Sequence, residues 1–186
     1  MFNSMSRLLT FAFFIFLTGG TSIAIEQPPS APPSLTWQHV GSKSYESQFP
    51  GLGTSQRYES PAGYIDVYVY SLGRNDWKPG VSDSQFAGHF ESTVTEVRTL
   101  AQRGLYTNLQ MDAIRDLVVA GNTFRTIHFY FSANGKPMNS ATYLTVHNGQ
   151  LLKYRVSIYA ASGLDVTAVA QSFIKENLHS KGRRLG

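Results

Sequence analysis

The stretch that decides the fold is residues 122–161, NTFRTIHFYFSANGKPMNSATYLTVHNGQLLKYRVSIYAA. It contains two Asn-Gly pairs, Asn134-Gly135 and Asn148-Gly149, and residues typical of β-strands surround each pair. An Asn-Gly pair favours a two-residue hairpin turn, because both turn residues need positive φ. The stretch therefore predicts three antiparallel strands connected as a meander.

Two-residue turns also predict which side chains share a face of the meander. Counting outward from the turns places Ala133 opposite Lys136 and His147 opposite Gln150. One face is then mostly apolar, with Phe124, Tyr143, Leu152, Tyr154, Val156 and Ile158. The other face is mixed, because it combines Ile127, Phe129, Phe131, Leu144 and Val146 with Arg125, Lys153 and Arg155.

Helical patterns stand on both sides of this region. Apolar residues at helical spacing predict one helix over 83–103 and a second over 163–178. Gly104 is placed to end the first helix, with Leu105 available for an apolar contact at its C-terminus. Candidate capping pairs precede the two helices, Ser82 with Gln85 and Ser162 with Asp165.

These elements predict an α+β domain, in which an antiparallel sheet with an Asn-Gly hairpin meander is flanked by two helices. Both faces of the meander carry too much apolar surface to remain wholly hydrated. A three-layer α/β/α sandwich is the economical arrangement. A two-layer α+β domain with one open sheet face is the alternative.

Residues 63–77, GYIDVYVYSLGRNDW, predict a further strand followed by a loop. If this strand lies beside the meander, its tyrosine side shares the mixed face and Asp66 lies near the cations. The candidate ligand site is therefore a group of cations, a carboxylate and an aromatic ring: Arg125, Lys153, Arg155, Asp66 and Tyr68. Such a group suits an anionic small molecule or a protein partner. Trp77, in the loop, is expected to fold back onto the domain.

Signatures of catalysis are missing from the sequence. It contains no nucleophile elbow, phosphate-cradling loop, dinucleotide fingerprint or His-Glu-x-x-His motif, so we predict no catalytic residue and no cofactor. His128 and His147 share a face, but the register separates them by about 20 Å, too far to share a metal ion. His128 is instead expected to be a core histidine with its polar atoms satisfied.

The N-terminus predicts export. Arg7 precedes an apolar run, Leu8 to Leu17, and Ser22 and Ala24 suit a signal-peptidase site. The predicted organisation is a signal peptide over 1–24, a proline-rich linker over 25–36, one globular domain over 37–180 and a basic tail over 181–186. Cleavage would leave 186 − 24 = 162 residues without a transmembrane segment and, since cysteine is absent, without a disulfide. The expected location is the bacterial periplasm.

The net charge of +4 does not indicate nucleic-acid binding. Four of the sixteen Lys and Arg residues lie in the signal or the tail, and the remaining twelve balance twelve Asp and Glu residues. The neutral body of the domain argues against a nucleic-acid partner.

The order of elements resembles the PsbP-like family of extracytoplasmic α/β/α domains and uncharacterised bacterial periplasmic proteins of the same plan. The features that carry it are AGYIDVYVYSLG, the helix DSQFAGHFESTVTEVRTLAQRG, the meander and the terminal helix, over residues 45–178. The resemblance is one of pattern. It implies a non-catalytic accessory or binding role and carries no site residues across.

The function predicted from the sequence is thus an exported, single-domain, non-catalytic binding or accessory protein. One alternative is a small hydrolase that uses His128 with neighbouring tyrosines. The other is an envelope-associated structural protein, tethered through the proline segment and the basic tail.

Overall fold

The computed structural model describes residues 35–182 of the 186-residue chain. The predicted signal peptide, most of the proline-rich linker and the end of the basic tail lie outside these residues. Ten elements follow one another: β1 Gln38–Ser44, β2 Thr54–Ser60, β3 Gly63–Tyr70, α1 Phe86–Gln102, β4 Thr107–Met111, β5 Arg115–Val119, β6 Asn122–Ala133, β7 Lys136–His147, β8 Gln150–Tyr159 and α2 Val166–Gly182. None of the helices in this part of the chain is long and apolar enough to cross a bilayer.

The strands form one eight-stranded sheet in the order β1-β2-β3-β8-β7-β6-β4, and β5 also pairs with β6. Every pairing of these strands is antiparallel. The predicted α+β class, with an antiparallel sheet and two helices, is confirmed. Strand β1 was not predicted, because its residues are exposed along their whole length and show no apolar alternation.

The two Asn-Gly turns form as predicted. Asn134 and Gly135 have φ of 51° and 73°, and Asn148 and Gly149 have φ of 52° and 71°. Ala133 pairs with Lys136 and His147 pairs with Gln150, so the predicted register of the meander is confirmed. The intrinsic preference of Asn-Gly for positive φ is sufficient to define this register.

The first helix begins at Phe86, three residues later than predicted, and the capping pair proposed for it is wrong. The Ser82 hydroxyl donates to the carbonyl of Pro79 at 2.9 Å, and Gln85 makes no capping hydrogen bond. The Asp83 carboxylate instead accepts the backbone N–H of Gln85 at 2.9 Å. The turn before the helix is therefore organised by Asp83.

The C-terminus of α1 matches the prediction in its backbone. Gly104, with φ of 72°, donates to the carbonyl of Ala101 at 2.9 Å, and Leu105 donates to that of Leu100 at 3.0 Å. This pair of bonds is a Schellman motif. Leu105, which was available for an apolar contact there, is 58% exposed.

Helix α2 begins at Val166, and Asp165 caps it alone. The Asp165 carboxylate accepts the backbone N–H of Thr167 at 2.9 Å. Ser162, the expected partner of Asp165, belongs to a 3₁₀ turn and donates to the carbonyl of Tyr159 at 2.7 Å. The helix continues to Gly182, beyond the predicted end at Leu178.

The buried apolar side chains form two clusters, and strands β6, β7 and β8 contribute to both. The first joins the apolar face of the meander to α2, through Phe124, Tyr143, Leu152, Tyr154, Val166, Ala170, Phe173 and Ile174. The second joins the mixed face to α1, through Ile127, Phe129, Leu144, Leu151, Phe86, Phe90, Val94 and Val97. Each cluster therefore combines residues of the central strands with residues of one of the two helices.

Candidate functional site

Strand β3 lies directly beside β8, which confirms the predicted neighbourhood of these strands. Antiparallel pairing places Asp66 opposite Arg155 and Tyr68 opposite Lys153. Tyr64 and Tyr68 pack against the apolar cluster that contains α1. The tyrosine side of β3 is therefore part of the mixed face of the sheet.

Arg155 places a guanidinium on this face without an acidic partner in contact. Its Cζ lies 4.5 Å from the centre of the Phe129 ring, and Nη1 donates to the Thr142 hydroxyl at 3.2 Å. Nη2 is buried and has no hydrogen-bond partner within residues 35–182. No carboxylate in that range forms an ion pair with the guanidinium.

Burial lowers the pKa of Arg155, and nearby tyrosines and Asp66 act in the opposite direction. The group nevertheless stays charged, because a guanidinium is not deprotonated in proteins. The site thus holds a permanent positive charge with an unused donor.

Asp66 faces two arginines. Its Oδ1 lies 3.6 Å from Nη1 of Arg57, and the Arg57 guanidinium also contacts the carboxylate of Glu59 at 3.1 Å. The Arg57 Cζ lies 4.2 Å from the centre of the Tyr64 ring. Burial raises the pKa of Asp66, while the charges of Arg57 and Arg155 lower it.

Arg57 was not predicted as a member of the site, although the sequence contained the signal. Strands β2 and β3 are joined by a two-residue turn, since Ser60 pairs with Gly63. Counting back from that turn places Arg57 opposite Asp66, as the structure shows.

Lys153 has both an aromatic and an acidic neighbour. Its Nζ lies 4.6 Å from the centre of the Tyr68 ring and 3.7 Å from Oε2 of Glu96 on α1. The Lys153 side chain is 16% exposed, whereas that of Glu96 is 68% exposed. Burial lowers the pKa of Lys153 and the charge of Glu96 raises it.

Arg125 is not brought into contact with the other predicted site residues. Its Nε and Nη2 donate to the two carboxylate oxygens of Asp116 at 2.8 and 2.9 Å. Arg125 lies on β6, two strands away from Lys153 on β8, or about 10 Å across the sheet. The neighbouring strand β5 supplies its carboxylate, which was not predicted.

The structure also shows a pair of stacked aromatic side chains beside these residues, which was not predicted. Tyr106, just beyond α1, stacks on Phe131 with ring centres 4.0 Å apart and planes at 25°. The Arg155 Cζ lies 6.0 Å from the centre of the same Phe131 ring, so Tyr106 and Arg155 are neighbours of one aromatic side chain. We refer below to Tyr64, Asp66, Tyr68, Tyr106, Lys153 and Arg155 as the tyrosine–cation cluster.

His128 is a core histidine, as predicted, but its polar atoms are not all satisfied. The residue is 8% exposed, and its Nδ1 lies 3.7 Å from a carboxylate oxygen of Asp112. Its Nε2 is buried without a hydrogen-bond partner in the described part of the chain. Burial lowers the pKa of His128. The His128 ring is thus largely covered by the surrounding residues.

The loop between β3 and α1 is held by a compact polar network. Trp77 is 5% exposed, and its Nε1 donates to the carbonyl of Ser71 at 2.7 Å, so its predicted folding back is confirmed. Arg74 lies over the Trp77 ring at 4.1 Å and donates to both carboxylate oxygens of Asp83 at 3.2 and 3.1 Å. These contacts give the loop a structural role.

Comparison with known proteins adds no identification: no protein-family model matches the chain, and no similar curated protein was found. Within residues 35–182, no group of three His, Asp or Glu residues could hold a metal ion. The tyrosine–cation cluster is therefore the candidate functional site of this chain.

Proposed function

We propose that this protein is an exported, non-catalytic binding protein whose tyrosine–cation cluster takes a small organic anion. The observation that carries the proposal is the Arg155 guanidinium, with a buried unpaired Nη2 and no ion-pair partner in the described residues. Burying a charged donor without a partner is costly. A carboxylate or phosphate oxygen from a ligand would satisfy it, since the arginine fork matches those groups.

The neighbouring charges favour a ligand with a single negative group. Arg57 is already paired with Asp66 and Glu59, and Lys153 is paired with Glu96. Only Arg155 therefore remains for the ligand. A second negative group would meet the carboxylate of Asp66 and would be repelled.

The tyrosines favour a ligand with a flat or ring-shaped body. Tyr64, Tyr68 and Tyr106 are all partly buried, and each retains some exposed surface. Tyrosine combines an apolar ring with a polar tip and suits contact with aromatic or sugar-like rings. The proposed ligand class is therefore a ring-bearing monoanion.

For the architecture, we propose the three-layer α/β/α sandwich rather than the two-layer alternative. The support is that α1 and α2 belong to different apolar clusters, to which alternate residues of the same strands contribute. This arrangement is consistent with the pattern-level resemblance to PsbP-like domains. We propose export to the periplasm on the N-terminal sequence alone, and N-terminal sequencing of the secreted protein would test cleavage after Ala24.

The binding proposal is tested with native mass spectrometry of protein purified from its own host, followed by calorimetric titration of any molecule identified. The variant Arg155→Met should lose the bound molecule, with affinity lowered at least tenfold. The matched control is Arg125→Met, which makes the same change of charge on the same sheet face outside the cluster. Equal retention in both variants, or no bound molecule in the unmodified protein, would contradict the proposal.

A further variant separates the loss of binding from a loss of folding. Arg155→Lys keeps the positive charge but removes the fork, so we expect weaker binding with an unchanged far-UV circular dichroism spectrum. Full affinity in Arg155→Lys would show that the geometry of the guanidinium is not used.

A further inference from the structure

Three exposed apolar side chains meet at the end of the sheet where β1 turns into β2. Phe49 is 66% exposed, Leu52 is 38% exposed and Leu72 is 42% exposed. Phe49 and Leu52 belong to the loop between β1 and β2, whereas Leu72 follows β3. Apolar residues scattered singly over a surface are normal, but a group of them can mark a contact site. We refer to residues 48–53 and 71–73, which carry this group, as the apolar tip.

Hydrogen bonds between backbone groups hold the three residues together. The Leu52 N–H donates to the Phe49 carbonyl at 3.1 Å, which closes a β-turn. Pro50 and Gly51 occupy the central positions of this turn, where Pro50 restricts φ and Gly51 supplies a φ of +90°. The Leu72 N–H donates to the Gly51 carbonyl at 2.8 Å, so the second loop is attached to the first. The apolar tip is therefore one structural unit.

Leu72 is strained as well as exposed. Its φ is +54°, a left-handed conformation that glycine and asparagine adopt far more readily than leucine. In a surface turn, either of those residues would remove both the strain and the exposed apolar area. Residues held in such conformations cluster at functional sites. The leucine at this position therefore favours a contact between its side chain and another molecule.

The backbone of the apolar tip suits an environment without water. Each of its N–H groups has an acceptor within the protein, and Pro50 has no N–H group. The donors are Gln48 and Phe49 to the Tyr45 carbonyl, Gly51 and Gly53 to the Glu46 carboxylate, Leu52 to the Phe49 carbonyl, Ser71 and Leu72 to the Gly51 carbonyl, and Gly73 to the Ser71 hydroxyl. The apolar part of a lipid bilayer supplies no acceptors, so a segment that enters it must satisfy its N–H groups internally. The apolar tip meets this condition.

The apolar tip also carries no charged side chain. Glu46, the acidic residue closest to it in the chain, has both carboxylate oxygens bound to N–H groups of the tip, at 2.9 and 2.7 Å. Arg74, the basic residue that follows it, donates to the carboxylates of Asp76 and Asp83. Both neighbouring charges are therefore engaged within the protein. The surface that the tip offers to another molecule is uncharged and mainly apolar, which matches a lipid surface better than a partner recognised by charge.

We propose that the apolar tip inserts into the interfacial region of a lipid bilayer and thereby places this end of the sheet on a membrane surface. Because the tip is uncharged, zwitterionic lipid is sufficient for the contact and added salt has little effect on it. The attachment is weak and reversible, since even one myristoyl chain gives only marginal binding. The proposal does not rest on the ligand proposed for Arg155.

Quenching of tryptophan fluorescence by phosphatidylcholine vesicles with brominated acyl chains tests the insertion at a defined position of the full chain. The vesicles should at least halve the fluorescence that Phe49→Trp adds to the signal of Trp37 and Trp77. The matched control is Leu105→Trp, because Leu105 is 58% exposed but lies beyond the end of α1, outside the apolar tip. Its added fluorescence should not be quenched.

The comparison separates the apolar tip from any other membrane contact, including one made by the apolar run near the N-terminus. Equal quenching at positions 49 and 105 would show binding through another segment and would overturn the proposal. Absence of quenching at position 49 would overturn it as well. Loss of the quenching in about 1 M salt would contradict the apolar mechanism, because only charge-dependent contacts are screened.

A second variant separates apolar contact from the geometry of the loop. Asparagine tolerates positive φ, so Leu72→Asn should keep the fold at least as stable in urea unfolding. In the Phe49→Trp protein, this change should raise the vesicle concentration for half-maximal quenching roughly twofold or more, because less apolar surface is buried. An unchanged vesicle affinity would contradict the proposal. A blue shift of the Phe49→Trp emission that grows with protein concentration without vesicles would identify a second copy of this chain as the partner and would also overturn it.

Discussion

Gly53 offers the sharpest test of how the loop between β1 and β2 is built. Its φ is +66°, and a Cβ added there would lie 1.9 Å from the carbonyl oxygen of Val69, against 3.4–4 Å for an ordinary contact. Its backbone also makes two hydrogen bonds, accepting from Tyr45 N–H at 2.9 Å and donating to the Glu46 carboxylate at 2.7 Å. The variant Gly53→Ala must move the loop away from β3.

The expected loss follows from these contacts. An alanine at positive φ costs about 1 kcal/mol. Displacement of the loop weakens one neutral hydrogen bond, worth about 1 kcal/mol, and one to a carboxylate, worth about 2 kcal/mol. Gly53→Ala should therefore lower the free energy of unfolding by about 4 kcal/mol.

Gly73→Ala is the matched control, because Gly73 has φ of +75° but nothing within 4 Å of an added Cβ. Gly73→Ala should lower the free energy of unfolding by about 1 kcal/mol, which is the cost of the backbone strain alone. Urea unfolding followed by circular dichroism measures both variants, provided that the slope against urea stays constant. If the two variants lose free energies of unfolding that differ by less than about 1 kcal/mol, the prediction is wrong, because the close approach to Val69 would then not contribute to stability.

Three further predictions concern pH, charge and packing. Burial lowers the pKa of His89 to about 4 and also lowers that of His128 from the ordinary 6.5. The unfolded chain then binds more protons below pH 6.5, so the free energy of unfolding should fall as the pH drops from 6.5 towards 4. His89→Gln should flatten that pH dependence, and an unchanged slope would contradict the assignment. Asp116→Asn should cost less than about 1 kcal/mol in urea unfolding, because its ion pair with Arg125 is partly exposed; a loss above about 2 kcal/mol would contradict this. Phe90→Ala should cost about 3–5 kcal/mol by the same measurement, because the ring is 1% exposed between α1 and the sheet, and a loss below about 1 kcal/mol would show that α1 packs loosely.

Local preferences allowed much of the sheet to be predicted. Asn134-Gly135 and Asn148-Gly149 define the register of β6, β7 and β8, because positive φ is a property of the turn residues themselves. The period of two along a strand then assigns Tyr68 and Arg155 to one face. Helix boundaries were predicted less well. The polar residues before Phe86 offer several capping patterns, and the sequence alone does not distinguish them. In the structure, Arg74 binds the Asp83 carboxylate and so favours the pattern in which Asp83 organises the turn.

Not every partner of the charged side chains could be predicted in the same way. Asp116 reaches Arg125 because β5 returns beside β6, and Glu96 reaches Lys153 because α1 packs on the sheet. For Asp116, the two-residue turn at Ala120-Gly121 sets the register, because Val119 pairs with Asn122 and Asp116 therefore with Arg125. Glu96 lies on α1, where no turn sets its position relative to the meander. The same is true of Asp112, which faces His128.

By itself, the amino-acid sequence determined the hairpins and the alternation of faces, because each depends on residues close together along the chain. Only the tertiary structure decided which cation remains without an acidic partner. That outcome depends on the order of strands and on the helix that covers them, and it leaves Arg155 with the buried unpaired donor while Arg125 and Lys153 are paired. Burial, rather than charge alone, therefore identifies the cation available to a ligand, because a desolvated donor requires a partner whereas an exposed donor is satisfied by water.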